Sequence, residues 1–402
     1  MTVRRVHSFV LLLVLTVLIT PVHSAEELPR ARPEAVGLSG PRLDRLTDAM
    51  QAYVDDGRLA GGVVIVARRG RVAYLESFGQ RDRESNSPMT TDAIFRIASQ
   101  TKAIISTGVM LLQEEGKLLI SDPVGRYLPE FARTQVAVAR EGGGYDVVPA
   151  RGRITIRQLL THTSGLRPGI SLRDKWNGAQ AAIGLACRET LRQQPGTKFT
   201  YSDINFILLG EIVRRISGKP LNEFAKDHIF TPLKMHDTGF LPATALTSRI
   251  APTEAIAGKM LRGTVHDPTA HRMGGVAGHA GLFSTVDDVM RFGQAFLDAW
   301  HGRSDVLPQD TVRLFSTRQQ LPDDSDWALG WDTPTAGGSS SGQYFSENSV
   351  GHLGFTGTSL WIDQEKNIIV VLLTNRVHPT RENSGMYTIR RKFHTEIMKA
   401  IL

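Results

Sequence analysis

Ser99-Gln-Thr-Lys102 places a hydroxyl and an amine three residues apart at the start of an apolar run that continues to Glu115. In a helix, positions i and i+3 share a face, so the Lys102 amine comes within reach of the Ser99 hydroxyl. An amine that is partly desolvated near the positive end of a helix loses its proton more readily and can serve as a base. A serine hydroxyl becomes a usable nucleophile only with such a base beside it. The pair is therefore a candidate nucleophile with its base. Alone the pattern is weak, because chance gives about one such pair in a chain of this size at ordinary lysine usage. Ser99 is nevertheless the one serine here with lysine at that spacing.

Other reactive side chains read differently. Gly338-Ser-Ser340-Ser-Gly342 matches G-x-S-x-G, but a nucleophile elbow needs a buried strand before it and a helix after it. Here the match falls in the low-complexity run 332–342 and reads as coincidence. Cys187, the single cysteine, cannot close an intramolecular disulfide and reads as a packed thiol. His162 and Ser164 in His-Thr-Ser-Gly read as turn residues beneath the site, and Trp176 as packing, with a cleft wall as its alternative. His266, Asp267 and His279 lack the tight helical spacing of a zinc site. They read as loop structure near the cleft, with substrate contact the alternative. The glycines of 274–281 do not follow a strand in a βαβ setting, so phosphate binding is not indicated. No metal and no cofactor are expected.

The elements that must position Ser99 and Lys102 follow from periodicity. Leu43, Leu46, Met50 and Val54 are spaced for a helix over 43–54. Apolar runs at 62–68 and 71–78 predict a hairpin turning at Arg69-Gly70. The stretch 99–115 predicts a helix with Ile105, Val109 and Leu112 on one face and Gly116 beyond its end. Strands are predicted again at 359–363 and 368–373. A last amphipathic helix would use Met386, Ile389, Phe393, Ile397 and Ile401. Residues 134–152 read as a loop excursion with two short strands around Gly142-Gly-Gly144. Strands at both ends with helices between predict an α/β fold: a discontinuous domain, 25–98 with 325–402, and a mostly helical domain, 99–324, with the active site between them.

Two further segments extend the constellation. Gln194-Pro-Gly-Thr-Lys-Phe-Thr-Tyr201-Ser-Asp203 leads into an apolar helix over 204–216, and Gly351-His352-Leu353-Gly354-Phe355-Thr-Gly357 leads into the strand at 359. With Ser99-x-x-Lys102, in this order, they resemble the serine β-lactamase and penicillin-binding family. The likeness is closest to its class C β-lactamase, D-Ala-D-Ala peptidase and esterase branch. It spans nearly the whole chain after the N-terminal segment, including Leu159-Leu-Thr-His-Thr-Ser-Gly-Leu166 and Gly278-His-Ala-Gly-Leu-Phe-Ser-Thr285. The resemblance implies a β-lactamase/transpeptidase-like fold, an antiparallel sheet flanked by terminal helices with an inserted helical domain. It makes Ser99 the nucleophile, Lys102 its base partner and Tyr201 a second proton carrier. It puts His352 and Gly354 on the strand lining the site, and the N–H groups of Ser99 and Phe355 in the oxyanion hole.

The departures from the family pattern narrow the substrate. Asp203 stands where the family usually has Asn; ionised, it cannot donate to a substrate amide and could instead pair with Lys102. His352 replaces a permanently charged lysine and would be only partly cationic near neutral pH, and Leu353 replaces a threonine. Both changes weaken recognition of the carboxylate of β-lactams and D-Ala-D-Ala peptides. The expected substrates are carboxylic esters or small D-amino-acid amides. The alternatives are a D-Ala-D-Ala carboxypeptidase acting on peptidoglycan-type peptides and, outside catalysis, an acylated β-lactam sensor.

Charge and composition remove other classes. With 41% apolar and 22% charged residues in a chain of 402, disorder and fibrous folds are excluded. Arg4 and Arg5 precede an apolar stretch of twelve residues, 9–20, and a small-residue exit at Val22-His-Ser24. This reads as a signal peptide, 1–24, cleaved after Ser24, with a periplasmic or secreted product and no stable membrane span afterwards. Twelve residues cover about 18 Å as a helix, short of a bilayer core of roughly 30 Å. Removing two arginines lowers the net charge from +7 to 45 − 40 = +5. That surplus is scattered, so no nucleic-acid partner is indicated.

Overall fold

A computed structural model describes residues 28–402 apart from 384, and the expected signal peptide lies outside the described residues. The first long helix, α1 (Gly40–Asp55), buries Leu43, Leu46 and Met50 of the stripe its spacing predicted, and leaves the fourth, Val54, half-buried. It leads into β1 (Gly61–Arg68) and β2 (Arg71–Asp82), which turn through Arg69 and Gly70 at φ 54° and 74°. Two consecutive left-handed residues give the turn twist that suits a hairpin, and the glycine carries no Cβ penalty there. A short β3 (Ser87–Pro88) follows, then α2 (Thr101–Glu114) and the hairpin β4 (Gln135–Ala139) and β5 (Tyr145–Pro149) expected around the three glycines. Two more long helices are α3 (Asp203–Ser217) and α4 (Val286–Trp300). The chain closes with β6 (Val350–Gly354), β7 (Thr358–Asp363), β8 (Ile368–Thr374) and α5 (Met386–Lys399). Ile401, expected as the last apolar residue of α5, instead bridges to Leu38 just past the helix.

The main sheet is antiparallel, ordered β6-β7-β8-β1-β2-β3. β8 pairs with β1 from Gly62↔Thr374 to Arg68↔Ile368, so strands from opposite ends of the chain share its centre. Both are buried at every residue, because each face of the sheet is covered. Val64, Val66, Trp361, Val370 and Leu372 pack under α1 and α5 with Ile389, Phe393 and Ile397. Val63, Ile65, Leu360, Ile362 and Val371 belong to the larger core shared with α2, α3 and α4. Covered on both sides, these strands read as continuous apolar runs rather than alternating ones. Each such Val or Ile contributes about 1.5–3 kcal/mol by leaving water.

The helix α2 departs from the one-faced pattern expected of it. All of residues 101–110 are buried, Thr101, Lys102, Ser106 and Thr107 included. It runs through the interior, so its polar side chains are satisfied locally: Ser106 Oγ donates to the Lys102 carbonyl (2.9 Å) and Thr107 Oγ1 to that of Ala103 (3.0 Å). Ser99, expected as its first residue, lies in a 3-10 turn, Ala98–Gln100, directly ahead of it.

Beyond β6, Asp332 and Gly351 exchange both backbone hydrogen bonds at 2.9 Å. Burial pushes the Asp332 carboxyl up to about 7 against the opposing pull of the Thr333 N–H. A raised carboxyl pKa favours the folded state at low pH and loses that advantage as pH climbs through 7. Asp332→Asn is therefore expected to gain about 2 kcal/mol relative to the wild type on going from pH 5 to pH 8. Denaturant unfolding at both pH values measures this, and an equal difference at each would refute it.

Candidate active site

Ser99 follows Ala98, which is held at φ 47°, a conformation that costs a residue with a Cβ of order 1–3 kcal/mol. The turn and the first turn of α2 deliver the i, i+3 geometry: Lys102 Nζ lies 3.1 Å from Ser99 Oγ. The same nitrogen donates to the His279 carbonyl at 3.0 Å and meets Asp203 Oδ1 at 2.8 Å. Three partners match the three protons of an ammonium. Lys102 is wholly buried, and burial by itself would push its pKa down. The Tyr201 side chain and the Asp203 carboxylate outweigh that and hold it above the usual lysine range. The amine is thus charged at neutral pH, unlike the deprotonated base that the Ser99–Lys102 spacing alone suggests. Asp203 makes the pairing considered for it from the sequence.

Tyr201 and Asp203 reach the site from the start of α3. Asp203 occupies its first turn, where the helix dipole favours a carboxylate. The approach is pinned to the loop after His162: Ser202 Oγ donates to the Arg167 carbonyl (2.6 Å) and Asp203 N–H to that of Pro168 (2.7 Å). The Tyr201 ring centre is 4.9 Å from Lys102 Nζ, and the His162 ring lies 4.4 Å from it on another side. His162 is buried beneath the site, as its turn reading placed it. Burial, then the charge of Lys102, holds its pKa well below the usual range, so it is neutral.

β6 closes the site. Thr356 Oγ1 donates to the Arg96 carbonyl and Thr358 Oγ1 to that of Ile97 (3.3 Å). A Cβ at Gly354 would collide with the Ile97 carbonyl, so only glycine allows this approach. The contact brings Phe355 and Ser99 to one cavity of about 160 Å³. His352 requires a correction. It is 3% exposed, and burial, then the charge of Lys102, lowers its pKa to about 3. It is neutral rather than partly cationic, because Trp327 (ring centres 6.0 Å apart) and the core around it exclude water. Its Nδ1 donates to the Leu353 carbonyl at 2.9 Å.

The same cavity is lined by His266, Asp267 and Arg381. His266 stacks on the half-exposed Phe355 at 5.8 Å, and Glu254 holds both the His266 ring (2.7 Å) and the Arg381 guanidinium (2.8 Å). Arg381, then His266, lowers the Glu254 carboxyl to about 2. Glu254 and Arg381 were not singled out from the sequence; 127 residues apart, they carry no local signal. Asp267 caps the short helix Pro268–Arg272 through the Ala270 N–H (2.8 Å) and meets His279 Nε2 at 2.9 Å. Donor atoms of Asp203, Asp267 and His279 lie within 4.8 Å of one another, beside the Lys102 ammonium. Cys187 is buried, with its thiol pushed up to about 12 by desolvation, and Trp176 packs on the core while donating to the Ser171 carbonyl (2.9 Å). Ser340 lies in a loop without a flanking strand or helix, so the G-x-S-x-G match is no elbow.

The profile of the Beta-lactamase family matches residues 46–394. A relative from Escherichia coli (strain K12), named putative D-alanyl-D-alanine carboxypeptidase, is 28% identical over 390 residues, 87% of this chain and 86% of that protein. One from Bacillus subtilis (strain 168), named N-acetylmuramyl-L-alanine amidase, is 32% identical over 388 residues, 86% of this chain and 83% of that one. Among solved structures, EstCE1, titled a hydrolase with promiscuous acyltransferase activity, superposes with a TM-score of 0.69 over 90% of this chain and 98% of its own, at 24% identity. At that identity the likeness is one of fold. Among the described residues no helix is long and apolar enough to cross a membrane.

Proposed function

Because this chain belongs to the Beta-lactamase family of serine hydrolases, we propose that it is an exported enzyme hydrolysing carboxylic esters or small amides through an acyl-enzyme on Ser99. The observation that carries this reading is the contact of one buried ammonium, Lys102, with Ser99 Oγ and Asp203, its Nζ standing beside the Tyr201 ring. In the proposed reaction the Tyr201 oxygen takes the Ser99 proton as Oγ bonds to the substrate carbonyl carbon. Tyr201 accepts this proton as the phenolate standing beside the Lys102 ammonium, and as the tyrosine is neutralised the negative charge passes to the substrate carbonyl oxygen. The N–H groups of Ser99 and Phe355 receive the oxyanion, a contribution of several kcal/mol when the donors are preorganised. The leaving group departs with the proton from Tyr201, and water then attacks the ester on Ser99 by the same route, releasing the acid.

His352, neutral, and Leu353 leave β6 without a cation or a hydroxyl to grip a substrate carboxylate. This weighs against β-lactams as the best substrates. The names of the two relatives favour amides of cell-wall origin, with D-Ala-D-Ala carboxypeptidase the second reading. We also read 25–98 with 325–402 as one domain and 99–324 as another, supported by the pairing of β1 with β8.

A panel of p-nitrophenyl esters, N-acetylmuramyl-L-alanine, a D-Ala-D-Ala pentapeptide and nitrocefin, followed by intact mass, tests the proposal. The best ester or amide is expected to exceed nitrocefin in kcat/KM by at least about tenfold, a difference of 1.4 kcal/mol between transition states. A transient adduct should map to Ser99. Nitrocefin as the best substrate would overturn the substrate class, and a lasting adduct without product would mark a sensor.

A further inference from the structure

We infer that His162 is a positioning residue for Tyr201, holding the backbone on both sides of the tyrosine and backing its ring. This rests on the reading of Tyr201 as proton carrier. His162 stands at φ 57°, just past the short helix Ile156–Leu160. In that left-handed conformation its carbonyl accepts the Thr200 N–H (2.8 Å) while its ring Nδ1 accepts the Ser202 N–H (3.1 Å). The residues immediately before and after Tyr201 are thus tied to one residue. The imidazole also faces the phenol ring at 4.4 Å, tilted by 33°.

A second layer fixes the clamp itself. Asn205 Nδ2 lies 3.1 Å from the same Nδ1, and Ser164 Oγ donates to Asn205 Oδ1 at 2.6 Å, which sets the orientation of the amide. Ser164 and Asn205 are buried, and Phe206 and Trp327 box the imidazole at 5.3 Å each. Accepting at Nδ1 places the imidazole proton on Nε2, so one neutral tautomer serves the clamp. The two sequence segments, His162-Thr-Ser164 and Tyr201-Ser-Asp-Ile-Asn205, interlock through these side chains. A displacement of about 1 Å at a reacting group can cost on the order of 10²-fold in rate, which gives such a clamp its value.

A packing residue would be replaceable by another ring; a clamp needs the acceptor. His162→Phe keeps a ring and loses Nδ1. On the best ester, with active sites counted by covalent adduct, kcat per site is expected to fall about 10- to 100-fold. KM should change little, so the loss should fall on kcat alone. His162→Asn offers an amide oxygen near the place of Nδ1 and tolerates the left-handed backbone, so it should recover most of the lost kcat. Wild-type kcat in H162F, or H162N no better than H162F, would overturn the inference. Should H162F not fold, Asn205→Ala, which strips one donor from the clamp, should still lower kcat per site several-fold; an unchanged kcat would overturn it. Tyr201→Phe separates the two levels. A fully active Y201F sinks the proton-carrier reading and this inference together, whereas an inactive Y201F beside a wild-type-like H162F sinks only this one.

Discussion

Ser99→Ala is expected to lower kcat on the best ester or amide by at least about 10⁴-fold, because it removes the hydroxyl proposed to form the acyl bond. The residual rate should come from binding and the oxyanion donors alone, so KM should stay near the wild-type value. The folded state should hardly notice the change, since Ser99 Oγ gives up a single 3.1 Å contact with Lys102, whose amine keeps the His279 carbonyl and Asp203. Kinetics at matched folded concentration and intact mass after substrate addition measure both arms. Loss of the adduct together with loss of turnover is the expected result. Turnover within about tenfold of the wild type would place the nucleophile elsewhere and remove the acyl-enzyme on Ser99.

How far the residues could be read in advance depended on how local their determinants are. The stripe of α1, the Arg69-Gly70 turn and the runs of β7 and β8 are patterns within a dozen residues, and each forms where its periodicity put it. The reach of Lys102 to Ser99 is equally local, being one helical turn. The charge state of Lys102 is not, since it depends on Asp203 and Tyr201 about a hundred residues away meeting a fully buried amine. His352 was misjudged for the same reason. An isolated imidazole titrates near neutrality, and only the packing of Trp327 and the nearness of Lys102 drive it neutral. Glu254, with His266 and Arg381 both on its Oε1, had no local trace at all. The burial of every face of α2 was hidden because its helical period is the same whether one side or all sides are covered.

Lys102→Met is expected to lower kcat by at least about 10³-fold, the second large loss, because it deletes the buried ammonium in direct contact with the reacting hydroxyl. Methionine matches the lysine stem in length and suits a fully buried position, so the chain should still fold. The His279 carbonyl loses its donor at a cost of about 1–3 kcal/mol, while Asp203, one-third exposed, can be hydrated instead. A lower Tm with a folded baseline, and kcat measured below it, separates stability from catalysis. Activity above about a tenth of the wild type would show the charge to be dispensable. Asp203→Asn then asks which form of the amine works. Removing the carboxylate takes away one of the groups that hold Lys102 charged, so the lysine pKa must move down. If the ammonium is the working species, as its three partners imply, D203N loses activity first at the alkaline end of the pH–rate profile. If the free amine were the base, the same substitution would enlarge the active fraction and raise activity toward neutral pH. The two outcomes have opposite signs, so one pH profile decides between them.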